Sequence, residues 1–516
     1  EWRSKAWGVL DNAGLRTKAD YFLYDYWNPS SLTQLGSRVT PEEALSFYAA
    51  LRDAFAYAGG TVSDRCKNKE LRDIFRAGLR KNGLQEAANS EERALKIAFL
   101  TTSEGGGAGI ASQRCMQGVR DAGQDAFSVC VFPKTKNPNI RLAPVFPPAN
   151  SMLHAGDYQS LWNHWISIIS LNDSKSPRCT ARELFSTPDS IVDATLLGQS
   201  LDKVDIIHMH WVVGMLDYPH LGALVGDKPV IWTLHDMNPF TGGCHYSEGC
   251  TEYRDACHNC PLLEARSNTA HEFWLRKHQG LKQIKNLHIV CPSQWLADCV
   301  KESSLLGDRP VYVIPNMVPV KDFVPTSKLV ARLELGLPLD RRYIVFGADS
   351  LANQRKGGHI LAESLRNLQA MGAADGVEML FFGSSDLDVG IPTHNMGYVS
   401  DPEKLSRIYA AADVFAFPSL EDNAPQTVVE ALLSGTPVVS FAVGNVSELV
   451  RHEETGFLAR YSDAADFTLG LKWALKGGGT VEGSLRGING HLDAYQHHEP
   501  TAIVQRHLDL YASILD

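Results

Sequence analysis

The sequence lacks any long hydrophobic run, and no window approaches the ~18 apolar residues that a membrane-spanning helix requires. It also lacks a lysine- and arginine-rich run, and its net charge of −10 argues against a nucleic-acid partner. Its first residues do not show the charged-then-apolar pattern of a signal peptide. Together with the presence of ten cysteines, that absence predicts a reducing, cytoplasmic setting.

The most membrane-like segment is Leu161–Leu171, which reads LWNHWISIISL. Its tryptophans could lie in a bilayer interface, which leaves open a peripheral contact with the inner face of the membrane. A helix that turns its apolar side toward the protein core explains the same pattern. We favour the core-facing helix.

The chain has 516 residues, a length that predicts two or three domains. From Leu95 onward, short β-branched runs alternate with helices, and a second such series begins after Pro315. This alternation predicts an α/β protein with two Rossmann-like domains facing one cleft. The segment before Leu95 looks mainly helical and carries no chemical motif. The predicted boundaries are 1–94 for this helical extension, 95–315 and 316–497 for the two domains, and 498–516 for a helix that packs back.

The most informative segment is Pro418–Val439, which reads PSLEDNAPQTVVEALLSGTPVV. Its two carboxylates, Asp422 and Glu430, stand eight positions apart, and Glu430 could accept hydrogen bonds from a ribose diol. The start of the following helix could bind a diphosphate through backbone N–H groups. These groups belong to Asn423, Ala424, Gln426 and Thr427. Alternatively, Asp422 or Asn423 caps the helix and Glu430 is solvated.

Three further segments could line the cleft. Arg355 and Lys356 stand on a glycine-flanked loop and could neutralise a diphosphate, although a solvated basic loop is the simpler reading. Gly106 and Gly107 follow the first strand and could let the backbone approach a phosphate, without forming a dinucleotide fingerprint. His235 ends the strand VIWTLHD and opens onto the cleft, unless it is a structural histidine.

Four cysteines, Cys244, Cys250, Cys257 and Cys260, fall within one short segment, and the last two form a C-x-x-C pair. Four soft ligands on one loop could bind a structural zinc ion. An iron–sulfur cluster, disulfides or uncoordinated thiols are the alternatives.

The order of these motifs resembles that of retaining glycosyltransferases of family four, which have the GT-B fold. The resemblance covers about residues 95–495 and includes the acidic motif, TLHD, PSQWL, IPN and RKG. In that family the first acidic residue contacts the donor sugar and the second contacts the ribose, roles that fall here on Asp422 and Glu430. The aspartate departs from the family's glutamate, so neighbouring Glu421 is an alternative sugar ligand.

The resemblance extends to the other candidate residues. Lys356 matches the family's phosphate-binding lysine. The family's arginine position is Ser350 here, and Arg355 is a candidate substitute. His235 matches a histidine that contacts the donor sugar. The cysteine segment resembles one found in a bacterial subgroup of the family.

The resemblance implies a retaining transfer of a sugar from a nucleotide-sugar donor to a glycan or lipid-linked acceptor, in surface polysaccharide or glycolipid biosynthesis. His235, Lys356, Arg355 and Asp422 are the expected catalytic residues, and no cofactor is required for catalysis. The alternatives are a nucleotide-sugar epimerase, a phosphorylase on the same fold, or a non-catalytic scaffold. The sequence does not define an oligomeric state.

Overall fold

The structure is a computed structural model, and it describes residues 93–170, 184–264, 267–348, 353–383 and 389–515. The predicted helical extension therefore lies almost entirely outside the described residues. Residues 94–325 and 338–516 form one compact unit, which contains both sheets. A second unit includes residues 326–337, whose helix is Lys328–Glu334.

Two parallel sheets organise the main unit, as the sequence predicts. The first has seven strands in the order β3-β2-β1-β4-β5-β6-β7. These strands are β1 (Lys96–Ser103), β2 (Asp125–Phe132), β3 (Ile140–Leu142), β4 (Ile206–Met209), β5 (Val230–Thr233), β6 (Leu287–Cys291) and β7 (Val311–Val313). The second has six strands in the order β10-β9-β8-β11-β12-β13. They are β8 (Arg342–Ala348), β9 (Val377–Gly383), β10 (Thr393–Asn395), β11 (Val414–Phe417), β12 (Val438–Phe441) and β13 (Gly456–Ala459).

Helices connect the strands and cover both sheets. In chain order they are α1 (Gly106–Asp121), α2 (Ala149–His154), α3 (Tyr158–Ile169), α4 (Ala194–Ser200), α5 (Leu221–Val225), α6 (Thr269–Leu281), α7 (Gln294–Glu302), α8 (Lys328–Glu334), α9 (Gly358–Ala370), α10 (Pro402–Ala411), α11 (Gln426–Leu433), α12 (Val446–Leu449), α13 (Ala464–Gly477), α14 (Val481–His498) and α15 (Pro500–Leu515). Among the residues that the structure describes, none of these helices combines the length and the apolar character needed to cross a bilayer.

The inner strands form because their side chains are apolar on both faces. Strand β1 reads KIAFLTTS, and its six central residues are buried. Such continuous runs are typical of parallel strands that carry helices on both sides. Among the described strands, β3, β7 and β10 have no fully buried residue, and each is three residues long.

Two amphipathic helices bury their apolar faces in the core around the first sheet. Helix α3 buries Leu161, Trp165 and Ile169 in the core, as a core-facing helix requires. Helix α15 packs against α1, and its Tyr511 is fully buried in the cluster beneath the first sheet. The last helix of the chain thus completes the core of the first sheet.

The topology defines where a ligand can bind. In each sheet the chain first adds strands from a central strand to one edge, and then adds the remaining strands on the other side of that central strand. The strand order therefore reverses between β1 and β4 in the first sheet, and between β8 and β11 in the second. Ligands of open parallel sheets bind outside the carboxyl ends of the strands at this point. Three segments lie at these positions. The glycine turn, which includes Gly106 and Gly107, follows β1. The basic turn, Gln354–Lys356, follows β8, and the acidic loop, residues 418–425, follows β11.

Candidate functional site

The basic turn places two cations at the carboxyl edge of the second sheet. Residues Gln354–Lys356 form a short 3-10 turn, in which the N–H of Arg355 donates to the Asn353 side chain at 3.0 Å. Gly357 ends the turn with φ +70°, and a Cβ at this position would lie 1.9 Å from the carbonyl oxygen of Pro418. Only glycine lets the basic turn approach the end of β11 this closely.

Asp422 is bound by both of these cations. Its Oδ2 lies 2.8 Å from Lys356 Nζ and 3.5 Å from an Arg355 guanidinium nitrogen. Burial opposes ionisation, but the two cations outweigh burial and hold the pKa of Asp422 below its ordinary value. Asp422 is therefore an ionised partner of the basic turn at neutral pH. The structure brings together three of the four residues expected to be catalytic.

Glu421, the alternative sugar ligand, points to the first domain instead. Its carboxylate accepts hydrogen bonds from the backbone N–H groups of Ser247, at 3.3 Å, and Glu248, at 3.0 Å. Burial raises the pKa of Glu421 to about 6, although these two bonds and Arg355 oppose the rise. The two adjacent carboxylates thus have different hydrogen-bond partners, and the Asp422 carboxylate is the one that pairs with Lys356 and Arg355.

Glu430 lies on α11 and is buried, with 6% of its surface exposed. A nitrogen of the Arg114 guanidinium lies 3.7 Å from its Oε1. Burial raises the pKa of Glu430, and the positive charge of Arg114 opposes that rise. The alternative reading of Glu430 as a solvated helix residue is wrong, since the helix turns it inward.

The alternative reading of Asp422 or Asn423 as the helix cap is also wrong. The N-cap of α11 is Pro425, and no side chain caps the helix. The Asn423 side chain instead donates to the carbonyl oxygen of His235, at 3.2 Å, and accepts from Ser293 Oγ, at 2.6 Å. Asn423 therefore joins the acidic loop to the first domain.

The start of α11 has the amides expected for an anion site, with one exception. The N–H of Asn423 donates to Asp422 Oδ1 at 3.0 Å, so that amide has a partner already. The first two amides, of Gln426 and Thr427, have no carbonyl partner within the helix, whereas the N–H of Val428 donates to the carbonyl oxygen of Pro425 at 3.1 Å. Ala424 lies half-buried just ahead of them.

The glycine turn meets α11 across the cleft. The Gln426 side chain donates to the carbonyl oxygen of Gly107 at 2.8 Å, and its own amide oxygen accepts from Arg114. Gly106 has φ +73°, and a Cβ there would have no neighbour within 4 Å. The backbone of the turn thus borders open space beside α11.

His235 follows β5 and is half-buried. Its Nε2 lies 2.9 Å from His210 Nδ1, and the two rings are stacked. Burial lowers the pKa of His235 to about 4, with the neighbouring Asp236 opposing the shift. The ring is therefore neutral at pH 7. Behind it lies a cavity of about 20 Å³ whose lining includes His210, Trp211 and Lys277.

The four cysteines surround one cavity. It measures about 20 Å³, and its lining includes Cys244, Cys250, Cys257 and Cys260. The segment between the first two cysteines reaches the basic turn, where the Arg355 guanidinium lies 4.3 Å from the centre of the Tyr246 ring. The cysteine segment is therefore part of the wall of the cleft.

Sequence reasoning missed Arg114, Tyr246 and the side-chain role of Gln426. Arg114 lies about two turns into α1, the helix that follows a glycine-rich loop, and an arginine there can reach across a cleft. That spacing was the available signal. No local pattern marks Tyr246 as a partner of Arg355.

Comparisons with known proteins agree with this arrangement. Residues 341–476 match the family model described as Glycosyl transferases group 1. The chain is 42% identical, over 289 residues, to the D-inositol 3-phosphate glycosyltransferase of Nocardia farcinica, covering 51% of this chain and 57% of that protein. It is 27% identical, over 227 residues, to a protein of Escherichia coli (strain K12) provisionally named as the colanic acid biosynthesis glycosyl transferase WcaC, covering 42% of this chain and 52% of that protein. The chain thus spans about half the length of these two curated relatives.

A solved structure matches over both sheets. The crystal structure of Anabaena HepE, in complex with UDP and glucose, superimposes with a TM-score of 0.55 at 17% identity. The match covers 81% of this chain and 100% of that chain. At this identity the match shows the fold, which is the GT-B arrangement of two Rossmann-like domains predicted from the sequence.

Proposed function

We propose that this chain, whose residues 341–476 form a glycosyl transferases group 1 domain, is a glycosyltransferase that moves a sugar from a nucleotide-sugar donor to a hydroxyl acceptor. One observation carries the proposal. The strand-order reversal of the second sheet brings the basic turn, with Arg355 and Lys356, next to the loop that leads into α11. Lys356 Nζ lies 2.8 Å from Asp422 Oδ2 in that loop. Cations and helix amides at this place suit a diphosphate.

The donor would lie with its nucleotide on the second sheet. Glu430 would accept hydrogen bonds from the ribose hydroxyls, which requires Arg114 to share or release this carboxylate. Lys356 and Arg355 would contact the diphosphate together with the α11 amides. A uridine nucleotide is the first donor class to test, because HepE was crystallised with UDP and with UDP-glucose.

We propose that the reaction retains the configuration of the donor sugar. The bond between the anomeric carbon and the diphosphate oxygen breaks, and the electron pair leaves with the diphosphate. Lys356, Arg355 and the helix start stabilise the charge that develops there. The acceptor hydroxyl attacks the same face of the oxocarbenium-like sugar, and its proton passes to the leaving oxygen. No cofactor is required for this sequence of events.

His235 would serve at the sugar end of the donor. Because its pKa is about 4, the ring is a neutral hydrogen-bonding group at pH 7. The Asn423 contact to its carbonyl oxygen links its position to that of the acidic loop. The cleft would close on both substrates and exclude water, which limits hydrolysis of the donor.

The acceptor and the location of the protein belong to the same proposal. A glycan or lipid-linked acceptor, in surface polysaccharide or glycolipid biosynthesis, would approach from the first sheet. A lipid-linked acceptor would bring the protein to the inner face of the membrane. Tyr158 and Trp162 on α3 are each 42% exposed and could contact lipid. Sedimentation with anionic vesicles, with Trp162→Ser as the test variant, would show this contact.

Donor turnover tests the proposal. Incubation with a panel of nucleotide sugars should release a nucleoside diphosphate, faster when acceptor is present, and proton NMR of the product should show the donor's anomeric configuration. Glu430→Ala and Lys356→Ala should lower the rate, whereas Lys472→Ala on the exposed face of α13 should not. Rates that are unchanged in both site variants would place the chemistry elsewhere. A protein that neither turns over nor binds any nucleotide would be a scaffold.

A further inference from the structure

We propose that Cys244, Cys250, Cys257 and Cys260 bind one zinc ion, and that this ion fixes the wall of the cleft formed by residues 245–248. The thiols come from a single segment, and all four contribute to the lining of one cavity. Four cysteine sulfurs are the donor set of many structural zinc sites. The metal site itself does not depend on the proposed function, whereas its effect on the cleft does.

The donor set suits a single zinc ion. Four cysteine sulfurs can also hold an iron–sulfur cluster, which the metal analysis below distinguishes. No three of these four sulfurs lie within 4.8 Å of one another, whereas sulfurs on one zinc ion are about 3.8 Å apart. Binding would therefore draw the segment inward around the ion.

Backbone groups already support two of the thiols. The N–H of Gly242 donates to Cys257 Sγ at 3.2 Å, and the N–H of Glu252 donates to Cys250 Sγ at 3.4 Å. Such bonds stabilise thiolate ligands from outside the coordination sphere.

A competing cluster exists in the core. Cys115, His208 and His507 place their ligand atoms within 4.8 Å of one another. Both ring nitrogens of His208 already have partners, because they lie 2.8 Å from the hydroxyls of Tyr511 and Thr233. A metal would have to break one of these bonds, so this cluster is the poorer site.

The segment between Cys244 and Cys250 contacts three parts of the cleft. His245 lies 2.7 Å from the carboxylate of Asp236, the residue after His235. Tyr246 packs under the Arg355 guanidinium, and the next two amides bind Glu421. An ion bound to cysteines at both ends of this segment would fix the segment's position, and with it the contacts that the segment makes to both domains. Metal binding would thus preorganise the donor site from a distance.

Metal analysis of the purified full chain decides the proposal. We expect about one zinc per chain in the wild type and in Cys299→Ser and Cys115→Ser, and much less than one in Cys250→Ser or Cys257→Ser. Cobalt added to chelator-treated wild type should give the thiolate-to-cobalt absorption of a tetrahedral site. No bound metal, an iron–sulfur cluster, or zinc lost only in Cys115→Ser would each overturn the proposal.

The coupling to the cleft has its own readout. Removing zinc with a chelator should weaken UDP binding about 10- to 100-fold, and returning zinc should restore it in the wild type. Unchanged UDP affinity in the metal-free protein would refute the coupling while leaving the metal site in place. If the loaded protein binds no nucleotide at all, the proposed function fails, and the metal content still decides the zinc site. Because the UDP measurement uses the wild type throughout, a misfolded variant cannot mimic its result.

Discussion

The carboxyl edges of the two sheets differ in charge. At the edge of the second sheet, Lys356 pairs with the ionised Asp422, and a buried glutamate lies near an arginine. At the edge of the first sheet, His235 and His210 stack on each other, and burial lowers the pKa of both rings, so they are neutral. A charged diphosphate suits the second edge, and an uncharged sugar or hydroxyl suits the first.

Loss of Lys356 should have the largest effect, because in the proposed complex its charge faces the leaving diphosphate. We expect Lys356→Ala to lower kcat about 100- to 1,000-fold. Steady-state release of nucleoside diphosphate measures this. The exposed Lys472→Ala on the same domain is the matched control. A loss smaller than about tenfold would mean that the second edge does not stabilise the leaving group.

Loss of Glu430 should affect donor binding more than the chemical step. Hydrogen bonds to charged groups contribute about 1.5–3 kcal/mol, so we expect Glu430→Ala to raise the donor KM about 10- to 100-fold. Donor analogues that lack the ribose 2′- and 3′-hydroxyls provide the check. The variant and the wild type should bind these analogues with similar affinity. A persistent difference would show that Glu430 does not contact the ribose.

Glu421 should make stability depend on pH. Its pKa is raised from 4.5 to about 6, so the folded protein favours the protonated form. Relative to Glu421→Ala, the wild type should be most stable below about pH 4.5. This advantage should fall by up to about 2 kcal/mol as the pH rises through 6.

Melting temperatures of the wild type and Glu421→Ala at pH 4.5 and 7.5 measure this change. The exposed Glu363→Ala on α9 is the control, and its difference from the wild type should be the same at both pH values. An advantage of the wild type that grows with pH would mean that the bonds from Ser247 and Glu248 outweigh the burial of Glu421.

Replacement of His235 should have the smallest effect of the four. We expect His235→Asn to lower kcat about tenfold through a lost hydrogen bond to the sugar. Because the pKa of His235 is about 4, the rates of both proteins should have the same pH dependence between pH 6 and 8. Rate profiles across this range test the point. A rate change in the wild type that the variant lacks would show that the ring titrates during turnover.

The sequence predicts the inner strands well and the edge strands poorly. Strands such as β1 and β11 are continuous apolar runs, which a pattern reveals directly. The three short edge strands β3, β10 and β13 were not predicted. Ile140–Leu142 and Thr393–Asn395 have no buried residue, so the pairing that makes them strands depends on a neighbour far along the chain.

The sequence likewise predicts several residues of the site but not their contacts with distant segments. Local motifs identified Asp422, Glu430, Lys356 and Arg355, and the structure brings them to one edge. The contact between Arg114 and Glu430 joins residues in different domains, and no pattern within either segment encodes it. The partners of Glu421 could not be foreseen either, since they are backbone groups of the cysteine segment. The roles assigned to these residues stay predictions until variants are measured.

The difference between the two edges is tested most directly by the binding of UDP, measured by calorimetry, to one variant from each edge. Lys356→Ala should weaken binding by at least about tenfold, because it removes a charge-assisted contact. His235→Asn should leave the Kd within about twofold of the wild-type value, because the proposed contact of the histidine is to the sugar, which UDP lacks. Equal losses in both variants, or a larger loss in His235→Asn, would contradict the assignment of the nucleotide to the second sheet.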